Sequence, residues 1–146
     1  MNNWIKDLLY NDMDKLRDAI RVINEQDALH IIAANYNWDN GFEIPKLIID
    51  NENCDLGTAL LIFYRADGYR ILETNDISIL PDSEWKEFIF DLYSRIKIND
   101  FKSTNISYTP ELSKVQLFKL KKNNPHIPSV IVEKSPGKEI DIPNYF

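Results

Sequence analysis

The side chains best suited to chemistry are gathered between Asn35 and Gly68. The run Asn35-Tyr36-Asn37-Trp38-Asp39-Asn40-Gly41-Phe42-Glu43-Ile44-Pro45 mixes aromatic rings, amides and carboxylates. Cys54-Asp55-Leu56-Gly57-Thr58-Ala59-Leu60 and Phe63-Tyr64-Arg65-Ala66-Asp67-Gly68 follow it, and three of the four glycines fall in these runs. Asp39, Glu43, Asp55 and Asp67 each sit at an expected helix boundary. A stacked helical array can bring such boundaries to one rim. Tyr and Trp are favoured anchors at binding surfaces because they bury much area at little entropic cost. Tyr36, Trp38, Asp39, Glu43, Tyr64 and Asp67 are therefore the candidate partner- or ligand-binding residues. The competing account is that these polar groups cap helices and fix turns. It weighs more for the carboxylates than for Trp38.

Most catalytic and cofactor chemistries find no footing. A zinc centre needs clustered His, Cys and carboxylate ligands, but His30 and His126 stand far apart and no H-x-x-x-H or C-x-x-C spacing exists. Cys54 with His30 is a conceivable nucleophile pair, without any local catalytic signature. In an apolar helix, His30 is better read as a hydrogen-bonded core residue. Asp39-Asn40-Gly41 and Asp67-Gly68 are isolated turns with no phosphate-binding loop or its lysine, and the calcium-loop spacing is missing. No catalytic, cofactor-binding or metal-ligating residue is assigned, and no cofactor is expected.

The hydrophobic periodicity predicts an all-α fold: a compact array of about six short helices built as helix hairpins, with solenoid-like stacking left open. Trp4 to Ile23 repeats apolar residues at three- and four-residue steps, capped by Asn2 or Asn3 and breakable near Tyr10 at Asn11-Asp12. Gln26 to Tyr36 follows, with Asn24 and Asp27 as its capping pair. A third helix starts near Phe42, capped by Asp39 or Asn40, and runs to Ile49; Pro45 is tolerable only in its first turn. Asp55 caps a fourth to about Ala66, apolar nearly all round and hence central, ended by Gly68 as the left-handed glycine. Tyr69 to Leu80 reads as loop with a short helical turn. Glu84 to Ile98 is the cleanest amphipathic helix. Thr109-Pro110-Glu111 opens a sixth to about Lys122. Residues 123–146 form an extended, Pro-containing tail in which Ile127, Val130, Ile131 and Val132 dock into a groove.

The 146-residue chain fits a single domain (1–146) with enough apolar residues, 44%, for a core. One cysteine allows no internal disulfide, and with no secretory signal the expected setting is cytoplasmic. Apolar runs are far shorter than the roughly 20 residues of a membrane span, so no membrane partner is expected. Net charge is −6. Residues 1–100 hold 10 basic against 19 acidic side chains, or −9, and residues 101–146 hold 7 against 4, or +3. Phosphate backbones would be repelled. Lys114, Lys119, Lys121 and Lys122 fit a helix C-terminus better than a nucleic-acid patch. An acidic face instead steers a basic protein partner.

The three runs quoted above, spanning about 28–70, resemble the signature of an uncharacterised, mostly bacterial family of domains of unknown function. Asn40 departs from it, where a second acidic residue is expected. The resemblance implies a small, mainly helical domain and no established activity. Small stand-alone domains of this kind often look like immunity proteins of bacterial toxin systems, an association at the level of the class. The expected function is thus a non-catalytic protein-binding module, a toxin-neutralising immunity protein whose basic partner is a toxin domain. The alternative is a small-ligand binder or enzyme using Trp38, Asp39, Glu43 and Asp67. A purely structural adaptor is a third reading. Oligomeric state is not legible.

Overall fold

The computed structural model describes residues 3–74 and 76–146. The described residues contain nine α-helical segments and no strand: α1 Asn3–Tyr10, α2 Met13–Val22, α3 Gln26–Asn35, α4 Glu43–Asp50, α5 Leu56–Arg65, α6 Tyr69–Glu73, α7 Glu84–Lys97, α8 Lys114–Asn123 and α9 Ser129–Val132. Single 3-10 turns at Trp38–Asn40 and Ile77–Ile79 complete the helical content. The all-α expectation holds, with more and shorter helices than the expected six. None of the described helices is long and apolar enough to cross a membrane.

Helix α5 is the axis of the array. Every residue from Leu56 to Phe63 is buried, as an all-apolar stretch requires when no face can meet water. Helices α3 and α7 pack on it, α2 packs on α4, and α1 on α3. Gly57 is what lets the 101–108 segment cross α5. A Cβ there would lie 1.9 Å from the carbonyl oxygen of Ile106, so no other residue fits that crossing.

Asp55 fastens the crossing. Its carboxylate is fully buried and caps α5 by accepting from the Gly57 N–H at 2.9 Å. The same carboxylate also accepts from the Ser103 hydroxyl (2.9 Å), the Asn105 N–H (2.6 Å) and the Ile106 N–H (3.1 Å). Four donors satisfy a charge that would otherwise be prohibitively costly to bury. One helix turn on, Thr58 is hydrogen-bonded to Nδ1 of His30 at 2.9 Å, which makes this histidine the bonded core residue expected. Burial lowers its pKa to about 4, against the opposing pull of Asp55 and Asp27.

The break allowed for near Tyr10 is realised, because Asp12 turns the chain and accepts from the Lys15 N–H at 3.0 Å to restart it as α2. Several other helix ends differ from expectation, each for a local reason. Asn3 is the first residue of α1, and Asn2 lies outside the described residues. Helix α3 begins after Glu25 with no side-chain cap, so Asn24 does not cap it. Neither Asp39 nor Asn40 caps α4, whose preceding residue is Phe42; Pro45 does lie in its first turn.

At the end of α5 the left-handed residue is Asp67, with φ 62°, rather than Gly68. The Asp67 N–H donates to the Tyr64 carbonyl and the Gly68 N–H to that of Phe63, the paired bonds of a Schellman ending. Gly68 is needed for space instead, since a Cβ there would meet the Phe63 ring at 2.6 Å. The sixth expected helix starts later than Thr109-Pro110. Ser113 and Gln116 form a reciprocal capping box at the head of α8, which satisfies more orphan donors than Thr109 would.

Between Tyr69 and Leu80 the chain forms α6 and the second 3-10 turn, with Asn75 outside the described residues. The expected tail is not extended throughout: Asn123 ends α8, and a turn closed by the Ile127 N–H on the Asn124 carbonyl at 3.3 Å leads into α9. That helix buries Ile131 completely, and only residues 133–146 run on without a helix. One parallel backbone bridge, Ile106 with Lys138, ties the tail to the 101–108 segment.

Candidate functional site

The candidate residues fall into two groups. Tyr36, Trp38, Asp39 and Glu43 surround the 3-10 turn between α3 and α4. Asn37 opens that turn by accepting from the Asp39 N–H at 3.0 Å. Gly41 closes it at φ +90°, a left-handed conformation that glycine adopts without strain, and its N–H donates to the Trp38 carbonyl at 3.1 Å. The Tyr36 hydroxyl donates to the Gly41 carbonyl at 2.7 Å, so this ring braces the loop from below. Burial, with a contribution from Glu43, raises the Tyr36 pKa to about 12 and keeps the phenol a donor.

Aromatic rings support the turn. Trp38 meets Tyr36 edge-on at 5.4 Å, Phe42 at 6.2 Å and Phe88 of α7 at 6.4 Å, and Phe42 contacts Phe88 at 5.3 Å. Such edge contacts contribute about 0.5–1.5 kcal/mol each beyond area burial. Trp38 is only half-buried, yet its indole N–H is shut off from water without a hydrogen-bond partner. Outside this ring cluster the carboxylates face solvent. Asp39 is exposed, and Glu43 accepts from the Arg17 Nε, whose guanidinium also bonds Asp14. These two acceptors raise the Arg17 pKa.

Tyr64 and Asp67 lie elsewhere. The Tyr64 hydroxyl donates to the Ile131 carbonyl at 2.6 Å, and its ring stacks on Tyr108 at 5.9 Å. Burial pushes its pKa well up. The side chain therefore holds the tail against α5. Asp67 sits at the left-handed end of α5, its carboxylate mostly exposed and 4.0 Å from Arg70. Among the described residues no hydrogen bond, ion pair or ring contact joins Tyr64 or Asp67 to the Trp38 turn. No direct contact among them links Asp67 with Trp38, Asp39 or Glu43, although α7 touches both regions: the Trp85 indole donates to the Ala66 carbonyl at 2.6 Å and Phe88 meets Trp38 at 6.4 Å.

The sulfur and imidazole chemistry is equally enclosed. Cys54 is buried and its thiol pKa is raised by burial first and by Asp55 second. That holds it as a thiol rather than the nucleophilic thiolate. Among the described residues no group of three or more His, Cys, Asp or Glu side chains is placed to hold a metal ion.

The roles of two consequential residues, one of them a member of the polar signature, were not read from the sequence. Asn35 ties the tail, as developed below, and Phe88 carries the Trp38 turn from a distant helix. Only Asn35 left a trace, as the first polar residue of the signature; nothing local marks Phe88.

A family model described as a domain of unknown function, DUF4274, matches residues 24–97, and the chain belongs to that family. The match contains the whole 28–70 stretch and runs on through α7. No curated protein matches the chain, and no solved structure does.

Proposed function

We propose, from this family membership, that the protein is a non-catalytic module that binds a basic protein partner through the Trp38 turn. In finer terms it is a bacterial immunity protein acting in the cytoplasm on a toxin domain, with the three signature runs as the mark of its family. The observation that carries the reading is the pairing of exposed Asp39 and Glu43 with a turn held by four aromatic rings. A braced surface binds without first ordering itself, which saves the entropy that weakens flexible partners. The net charge of −6 adds long-range attraction for a cationic surface.

The test is co-expression with the product of a neighbouring toxin-like gene. Wild type protects the host, and the charge-reversed double variant Asp39→Lys, Glu43→Lys does not. Protection undiminished by the reversal, or no toxic neighbour and no basic protein retained on the immobilised wild type, removes the reading.

A further inference from the structure

The tail is attached by a device that recognises backbone. The Asn35 side chain donates from Nδ2 to the Pro143 carbonyl at 2.9 Å, and its Oδ1 accepts from the Tyr145 N–H at 3.1 Å. These atoms flank Asn144, as a residue of a parallel strand would pair with it. The backbone makes the same pattern farther up the tail. There the Lys138 N–H donates to the Asn105 carbonyl and the Ser107 N–H to the Lys138 carbonyl, both at 3.0 Å. Asn35 thus plays the part of a strand edge from the end of a helix. Its second Nδ2 hydrogen is held by the Ile31 carbonyl one turn back at 3.1 Å, which fixes the amide plane in advance. Tyr10 adds a third main-chain contact, its hydroxyl donating to the Tyr145 carbonyl at 3.0 Å.

The seat offers more than the tail uses. Phe146 lines a cleft of about 540 Å³ together with Leu9, Met13, Leu16 and Tyr36, and the rest of the lining is polar, four asparagines and Asp12. Phe146 touches the Tyr10 ring at 4.9 Å but remains 64% exposed. A site that binds main-chain atoms through a preset amide, next to a cleft with Leu9, Met13, Leu16 and Tyr36 in its wall, has the two parts of strand-type peptide recognition. The main-chain bonds give affinity for any extended segment, and the cleft selects a side chain.

We infer that the groove between α1, α2 and the end of α3 is a peptide-binding site, and that residues 143–146 occupy it as an internal stand-in. Its ligand is an extended segment of a partner protein, with an N–H at the place of Tyr145 and a large apolar or aromatic side chain directed into the cleft. This inference uses neither Asp39 nor Glu43, although the cleft borders the Trp38 turn through Tyr36, Asn37 and Asn40.

The full chain carrying Tyr145→Pro lacks the N–H that Asn35 holds, which frees the seat. A fluorescent peptide copying residues 139–146 is titrated into it and followed by anisotropy. The expected result is binding at least tenfold tighter than to wild type. Adding Asn35→Ala to that variant lowers the affinity at least tenfold, and so does N-methylating the peptide at the tyrosine amide. Circular dichroism of each variant verifies that its helices persist; should Asn35→Ala perturb them, the N-methylated peptide alone decides. Absence of binding to the Tyr145→Pro protein, or binding indifferent to N-methylation, overturns the inference.

Discussion

The carboxylate of Asp55 is fully buried and receives four hydrogen bonds, while that of Asp39, on the turn before α4, is exposed to solvent. Both belong to the same polar signature, and both were expected at helix boundaries. Around Asp55 the side chains are paired, Thr58 with His30, Ser103 with Gln26 and Asn105 with Gln26, and only the Ser107 hydroxyl farther along the crossing segment is buried without a partner among the described residues. Around Asp39 the arrangement is apolar beneath and charged above, with one indole N–H left over. A satisfied buried network specifies a fold, whereas exposed charge on a fixed support is available to something else. The contrast separates what the signature does for folding from what it offers to a partner.

The largest expected effect breaks the Asp55 side. Asp55→Ala leaves three backbone N–H groups and a hydroxyl without their acceptor, and should cost about 4 kcal/mol, read as a shift in the urea midpoint at unchanged slope. A loss under 1 kcal/mol would mean water replaces the carboxylate and the contrast is false. Next comes His30. Its folded pKa, about 4, lies below the ordinary 6.5. The unfolded chain therefore takes up the proton first, and stability present above pH 6.5 is lost as pH falls toward 4. The loss is roughly 2–3 kcal/mol over that window, and a His30→Gln variant should lack this component of the pH slope.

Trp38 sharpens the other side. Trp38→Phe removes the unpartnered N–H while keeping a ring, so calorimetry should find stability unchanged or higher by up to about 1 kcal/mol; a drop beyond 2 kcal/mol would show that the N–H is bonded in solution. The smallest effect is Asp39→Asn, expected within about 0.5 kcal/mol of wild type. Its signature is a weaker, less salt-sensitive association with a basic partner, measured by calorimetric titration at two ionic strengths.

What sequence reasoning captured was governed by neighbours along the chain. The apolar run of α5, its Asp55 cap, the amphipathic α7 and Pro45 in a first turn all follow from local periodicity and local donors. The helix ends at Asp12, Asp67 and Ser113 were misplaced or left open where two neighbouring residues competed for one role, and space around the backbone decided. Gly68 lost the left-handed position to Asp67 because its own demand was for room beside Phe63. Of the candidate site, the Trp38 turn is one unit, and Tyr64 turned out to hold the tail. The bonds from Asn35 to residues 143 and 145, and from Asp55 to 103–106, join positions far apart in the chain. No periodicity announces them.

The reach of Asp55 also bears on where this protein could be cut. The family match ends at residue 97, but three of the four donors to that carboxylate, and the carbonyl that crosses Gly57, come from residues 103–106. A fragment trimmed to the matched residues would expose a charged oxygen pair and a bare glycine groove on its central helix. The boundary of relatedness and the boundary of folding are therefore different lines, and the second lies farther along the chain.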